Sequence, residues 1–202
     1  MATVELSMSP GGLQSSNNAP VRAYRLVSDD GKWIATLGPE TLSLETPKYG
    51  RWEGDFRERM LESMRVVVEH LAPAVCTRVG LRYVDVLRNT ASNPSAWQGI
   101  VRENFLGPLR DPDFANAVTV VQQQISLQLD DELNAVLRHG LFFDQSAETE
   151  MRYLIDTDVF RDAFSAYNGD EIAALFERMH AAASSLFQLV ITPEHYAALS
   201  EA

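Results

Sequence analysis

Apolar and polar positions alternate along residues 76–87. Val79, Leu81 and Tyr83 fall on one side, and Arg78, Gly80 and Arg82 on the other. That is the period of a β-strand. The apolar side needs a core behind it. The side with two guanidiniums needs carboxylates, phosphates or water in front of it. Upstream, residues 23–27, 33–37 and 41–46 read as three further strands. Ser28-Asp29-Asp30-Gly31 and Gly38-Pro39-Glu40 form the turns between them. Connections this short join antiparallel neighbours. Downstream, Val121, Gln123, Ile125, Leu127 and Leu129 alternate with Gln122, Gln124, Ser126 and Gln128. Residues 134–143 and 151–160 complete a second set of strands.

The period changes twice to that of a helix. Trp52, Phe56, Met60, Met64, Val67 and Leu71 recur at spacings of four and three, giving one apolar stripe. Glu53–Arg57, Asp55–Arg59 and Arg65–Glu69 are spaced to pair on the opposite face, and Pro73 ends the helix. Asn168 followed by Glu171 fits a capping box. The helix it opens carries Ile172, Leu175, Phe176, Met179, Ala183, Leu186 and Phe187, and Thr192-Pro193 starts a last short helix. Between the two sets, Asn93-Pro94 opens a short helix through Trp97, Ile100, Val101 and Phe105, which Gly107-Pro108 breaks.

The predicted fold class is α+β: a largely antiparallel sheet with two long helices packed on it. Residues 1–20, rich in Ser, Asn, Gly and Pro, read as a flexible polar arm, with residues 3–8 as a short edge strand. Residues 21–202 read as a single α+β domain. Two half-units of similar order, about 21–87 and 118–191, flank a connector at 88–117. They share element order but no residue-level repeat.

Composition narrows the function. The chain has 202 residues and a net charge of −11, from 28 acidic and 17 basic residues. Phosphate binding needs a clustered excess of Lys and Arg, so nucleic acid is not an expected partner. Anionic membranes are disfavoured for the same reason. A basic protein partner is favoured electrostatically, although net charge also serves solubility alone. No apolar run reaches the roughly 20 residues of a membrane span, and no basic-then-apolar leader opens the chain. The single cysteine, Cys76, allows no internal disulfide. These features point to a soluble, cytoplasmic protein. A homo-oligomer joined through exposed strand edges is a further expectation.

The candidate chemistry lies in six residues. Asp156 and Asp158 are separated by one residue and share a strand face. Such a pair can hold Mg²⁺ or divide acid and base roles. The favoured alternative pairs them with Arg78 and Arg82, because buried charges are normally compensated. Arg78 and Arg82 can instead floor an anion pocket, with Gly80 admitting close approach and Tyr83 and Asp85 at the edge. The four histidines have no metal-ligand spacing, and no metal or cofactor is expected. His70 and His180 are placed near helix ends, where a partial positive charge is welcome. His139 falls within a strand, and Cys76 reads as a small buried residue. No serine has the context of a nucleophile, and no glycine-rich phosphate loop is present. Trp33, Trp52 and Trp97 read as core or helix–sheet contacts rather than a base-stacking platform. The chain is expected not to be an enzyme.

Four stretches together resemble a sporadically distributed bacterial family of uncharacterised proteins. They are Tyr49-Gly50-Arg51-Trp52, the strand Arg78-Val79-Gly80-Leu81-Arg82-Tyr83-Val84-Asp85, the strand Leu154-Ile155-Asp156-Thr157-Asp158-Val159-Phe160, and Phe187-Gln188-Leu189-Val190-Ile191-Thr192. The resemblance runs from about Tyr24 to the C-terminus. Members of that family usually carry a longer N-terminal portion with an added strand, where this chain has a short polar arm. The resemblance brings no known activity or cofactor. Its patchy occurrence implies an accessory role, of a defence or toxin-control type. The reading favoured here is a non-enzymatic binding or regulatory protein. The alternative is a small-ligand-binding protein or enzyme built on the Arg/Asp cluster.

Overall fold

The computed structural model describes residues 2–6, 23–89, 94–115, 117–144 and 150–200. The chain divides into two compact units, each assembled from three segments. The first comprises residues 1–82, 129–134 and 159–180; the second comprises 83–128, 135–158 and 181–202.

In the first unit, β2 (Tyr24–Val27), β3 (Ile34–Leu37) and β4 (Leu42–Thr46) form the expected antiparallel meander. Its first turn is fixed by Asp30. That carboxylate accepts from the Ser28 hydroxyl at 2.6 Å and from the Lys32 N–H at 2.9 Å, while Gly31 supplies the left-handed residue at φ 64°. The strand order in this unit is β2-β3-β4-β1-β5-β8. Here β1 is Ala2–Leu6, β5 is Val75–Arg88 and β8 is Glu150–Ala166; both long strands run on into the second unit.

Two expectations for the N-terminal stretch change. Residues 2–6 belong to the sheet rather than to a polar arm, and β1 is interior, between β4 and β5. It pairs with β4 along its whole length, from Ala2 opposite Thr46 to Leu6 opposite Leu42. Such a pairing across some forty residues leaves no local signature, so a short first strand looks like an edge. The rest of the expected arm, residues 7–20, lies outside the described residues, as does Asn93.

The first long helix begins later than its apolar stripe. Trp52–Phe56 is a wide turn in which Glu53 is extended and Gly54 is left-handed at φ 74°; α1 proper is Arg57–Leu71. Glu53 and Asp55 are therefore off the helix. Asp55 pairs with Lys32 at 2.9 Å and Arg57 with Glu177, and of the three expected pairs Arg65–Glu69 forms, at 3.3 Å. Trp52, Phe56, Met60 and Met64 are buried as the stripe requires. Val67 is only half-buried and Leu71 is exposed.

The core of this unit adds Val79, Leu81, Val159, Ile172, Phe176 and Met179 to those residues. The last three lie on α4 (Gly169–Val190), whose first half belongs here. His180 sits in the middle of α4 rather than near its end. It stacks on Trp52, with ring centroids 4.6 Å apart and planes 9° from parallel. The helix continues ten residues past His180 because Ala183, Leu186 and Val190 extend its apolar face into the second unit.

The second unit has the strand order β5-β8-β7-β6, with β6 Gln123–Gln128 and β7 Asn134–Asp144. Its core gathers Leu87, Leu137, Leu141, Tyr153 and Ile155 from the strands, Val190 from the end of α4 and Ile191 just after it. Trp97, Val101, Leu106 and Leu109 come from the connector. The short helix expected there is broken into single turns: Pro94–Trp97, α2 (Glu103–Leu106), Gly107–Arg110 and α3 (Pro112–Ala115). Arg102 explains the break after Trp97. Its N–H donates to the Val190 carbonyl at 2.8 Å and its Nε to the Ile191 carbonyl at 2.8 Å, so backbone bonding turns outward to the end of α4. The last helix, α5, is Pro193–Ser200.

Candidate functional site

The structure places the six singled-out residues in different surroundings. Arg78 belongs to the first unit, where its guanidinium donates to Asp162 at 2.7 Å and lies 4.2 Å from the Phe160 ring centroid. Asp162 lies beyond the strand predicted over 151–160: β8 continues past Phe160 to Ala166, placing Asp162 on the same strand face as Asp156 and Asp158. Arg82 is exposed on β5 of the first unit. Tyr83 and Asp85 are half-buried in the second unit, and burial pushes the Asp85 carboxyl up from its ordinary range. Asp158 is half-buried in the same unit. Asp156 is buried there, and its Oδ2 lies 3.5 Å from the Arg138 guanidinium.

Among the described residues, one cavity lies in each unit, lined by Arg78 in the first and by Asp156 in the second. The cavity of the second unit, about 460 Å³, lies between β6, β7 and β8. Asp156 lines it together with Gln122, Gln124, Arg138, Phe142 and Leu154. Arg138 is held on both sides, by Asp156 and by the Gln124 side-chain oxygen at 3.1 Å. Gly140 permits this arrangement, because Val121 and Gln122 cross directly over it. Behind the sheet, Tyr153 donates to the Phe105 carbonyl at 3.1 Å and shares a 2.8 Å bond with His139 Nδ1. With the phenol proton given to Phe105, His139 Nδ1 is the donor, and its buried Nε2 meets no hydrogen-bond partner among the described residues. Burial holds the His139 imidazole below its ordinary pKa and pushes the Tyr153 phenol well above its own.

The cleft of the first unit is smaller, about 350 Å³, and more apolar. Its walls are the β3–β4 turn from Leu37 to Leu42 and the last turns of α1, at Val67 and Leu71. Residues Pro73 to Cys76 close it, because α1 ends on a left-handed Ala72 (φ 41°) and Pro73 turns the chain into β5. The Tyr167 N–H donates to the Ala74 carbonyl at 3.0 Å, which fixes the end of β8 beside that turn. Glu40, Thr41, Cys76, Arg78 and Tyr167 supply the polar groups. Burial raises the Cys76 thiol above its ordinary pKa, so it is protonated at neutral pH.

A third feature lies at the sheet margin. In the strand order β2 comes first, and all four of its residues are exposed. Tyr24 is 64% exposed, Leu26 62% and Val27 51%. The Ser28 N–H donates to the Trp33 carbonyl at 2.9 Å, so Ser28 and Trp33 are a hydrogen-bonded pair. Such pairs alternate along an antiparallel ladder. Tyr24 and Leu26 therefore bond inward to β3, and the N–H and C=O of Arg25 and Val27 point away from the sheet. The sequence pattern predicts 23–27 as an ordinary meander strand. Its apolar composition carried no sign of which strand would be outermost.

Among the described residues no group of three His, Cys, Asp or Glu is placed to hold a metal ion. No helix among them is long and apolar enough to cross a membrane. Comparison with protein-family models, with curated proteins and with solved structures found no match to this chain.

Proposed function

We propose that this chain is a non-enzymatic binding protein that accepts an extended segment of a basic protein partner as an added strand beside β2. The exposed margin at β2 carries this reading. Natural sheets blunt their edges with charge, proline or a covering element. Here the edge is short and carries Arg25, yet its other three side chains are apolar and each more than half exposed, with outward backbone groups at Arg25 and Val27. Strand addition draws affinity from such main-chain groups and specificity from alternate side chains. The net charge of −11 favours a basic partner over a second copy of the chain, which would be repelled. The placement of the polar candidates supports binding over catalysis: Arg78 and Asp156 are each engaged by a neighbouring charge, Asp162 and Arg138. A cytoplasmic setting, an accessory role of the defence or toxin-control type and the resemblance to a patchily distributed bacterial family belong to the same proposal.

The test is site-specific crosslinking. A photoreactive residue at Leu26 should capture a partner in cells of the source organism, and one at Glu69 on the outer face of α1 should not. Adding Arg25→Pro should abolish capture, because proline removes an outward donor and leaves the β2–β3 bonds intact. Equal capture from both positions, or capture that survives Arg25→Pro, contradicts the reading. A crosslink between two copies assigns the edge to self-association instead.

A further inference from the structure

We infer that the cleft of the first unit binds a small amphiphilic anion, a medium-chain alkyl carboxylate, with its tail along α1 and its head toward Arg78. This site is separate from the proposed docking at β2 and goes beyond it. Three observations carry it. The first is an apolar stripe that outlasts its core. Met60 and Met64 are buried, yet Leu71, on the same stripe, is 59% exposed at the mouth of the cleft. Leaving a leucine in water forfeits the stabilisation its burial would bring, and an alkyl chain along Val67 and Leu71 restores it. The second is size. A cavity of about 350 Å³ falls within the range of small-molecule sites and is too small for a partner helix.

The third is the polar end. The Arg78 guanidinium is fixed by Asp162 at 2.7 Å and by the Phe160 ring at 4.2 Å, so it is oriented before any ligand arrives. A guanidinium has five N–H donors in a planar fork and accepts a carboxylate two-pronged. The Tyr167 hydroxyl at the same cleft adds a neutral donor, because burial holds its pKa up. At the Arg78 end a cationic head is opposed and a neutral alkyl chain gains no contact, while Glu40, the carboxylate in the lining, is exposed to solvent. Asp162, which is largely exposed, is the built-in competitor for Arg78.

The chain carries its own reporter. Cys76 is the single cysteine and lines this cleft. Its modification by a disulfide reagent would be followed with decanoate below its micelle concentration, with decan-1-ol and with acetate, alongside the thermal midpoint. Decanoate is expected to slow labelling and raise the midpoint, and acetate to do neither. Decan-1-ol should bind about tenfold or more weakly than decanoate, the value of a charge-assisted bond. Arg78→Met should bring decanoate down to the level of decan-1-ol. Leu71→Glu, at a position 59% exposed, should remove protection by both, with an unfolding midpoint recorded to show that the variant is folded. Asp162→Asn should tighten decanoate binding. The inference is overturned if decanoate gives no protection of the wild-type thiol, if it protects Arg78→Met equally, or if Leu71→Glu leaves protection intact.

Discussion

A methyl group added at Gly140 would lie 1.8 Å from the Val121 carbonyl oxygen and 3.1 Å from the Gln122 Cα. Both are backbone atoms, so no side-chain movement relieves the overlap. Gly140→Ala is expected to cost about 2 kcal/mol or more in denaturant unfolding. Gly31→Ala meets nothing within 4 Å and should cost only its positive φ, about 1 kcal/mol. Equal losses would contradict this account of the β6–β7 crossing. The same scale holds the pH dependence. Burial keeps the His139 and His180 imidazoles below their ordinary pKa. The unfolded chain then takes up protons at about pH 6.5 that the folded chain resists. Stability should be level above that pH and fall as pH drops below it. Asp85, whose carboxyl is raised by burial, opposes this trend at lower pH. Thermal midpoints from pH 8 to pH 5 should show the loss, and a His139→Gln/His180→Gln double variant should flatten it. Residue identity was legible for the tryptophans: Trp52 and Trp97 are buried, and Trp33 is half-buried with its ring 5.8 Å from that of Phe56. Partners such as Asp162 and Arg138 were not, because each lies in a different strand or beyond an expected strand end.

Elements were legible where one period ran undisturbed. The alternation at 76–87 gave β5, and the stripes gave α1 and α4 within a few residues. They misled where backbone geometry competes with periodicity. The spacing of Glu53 and Asp55 looks helical, yet Gly54 turns left-handed between them and sends Asp55 to Lys32. The C-terminus of α1 shows the same competition in reverse. Ala72 adopts a left-handed conformation at φ 41°, where glycine is the usual residue. Ala72→Gly should therefore stabilise the protein by about 1 kcal/mol, measured by urea unfolding. A loss of stability would mean that the Ala72 methyl contributes packing that outweighs its strain. The expected connector helix failed for a related reason: Arg102 commits its N–H and its side chain to the carbonyls at the end of α4.

The whole molecule combines an antiparallel meander, two long strands shared between its units and helices on the sheet. The α+β class followed from element order alone. The place of β1 between β4 and β5 did not, since it depends on a pairing that only the folded chain displays. The exposed margin at β2 follows from that same topology. A charge of −11 acts over the whole surface, so association with a basic partner should weaken steadily as salt rises toward physiological strength and beyond. Salt-independent affinity would place the attraction elsewhere. The most direct test of docking at β2 compares the affinity of the captured partner segment for the wild type and for Arg25→Pro, with unfolding midpoints recorded for both. The account predicts equal stability and at least about a tenfold loss of affinity, the worth of a main-chain hydrogen bond left unmade. Unchanged affinity in a stably folded Arg25→Pro protein would contradict it.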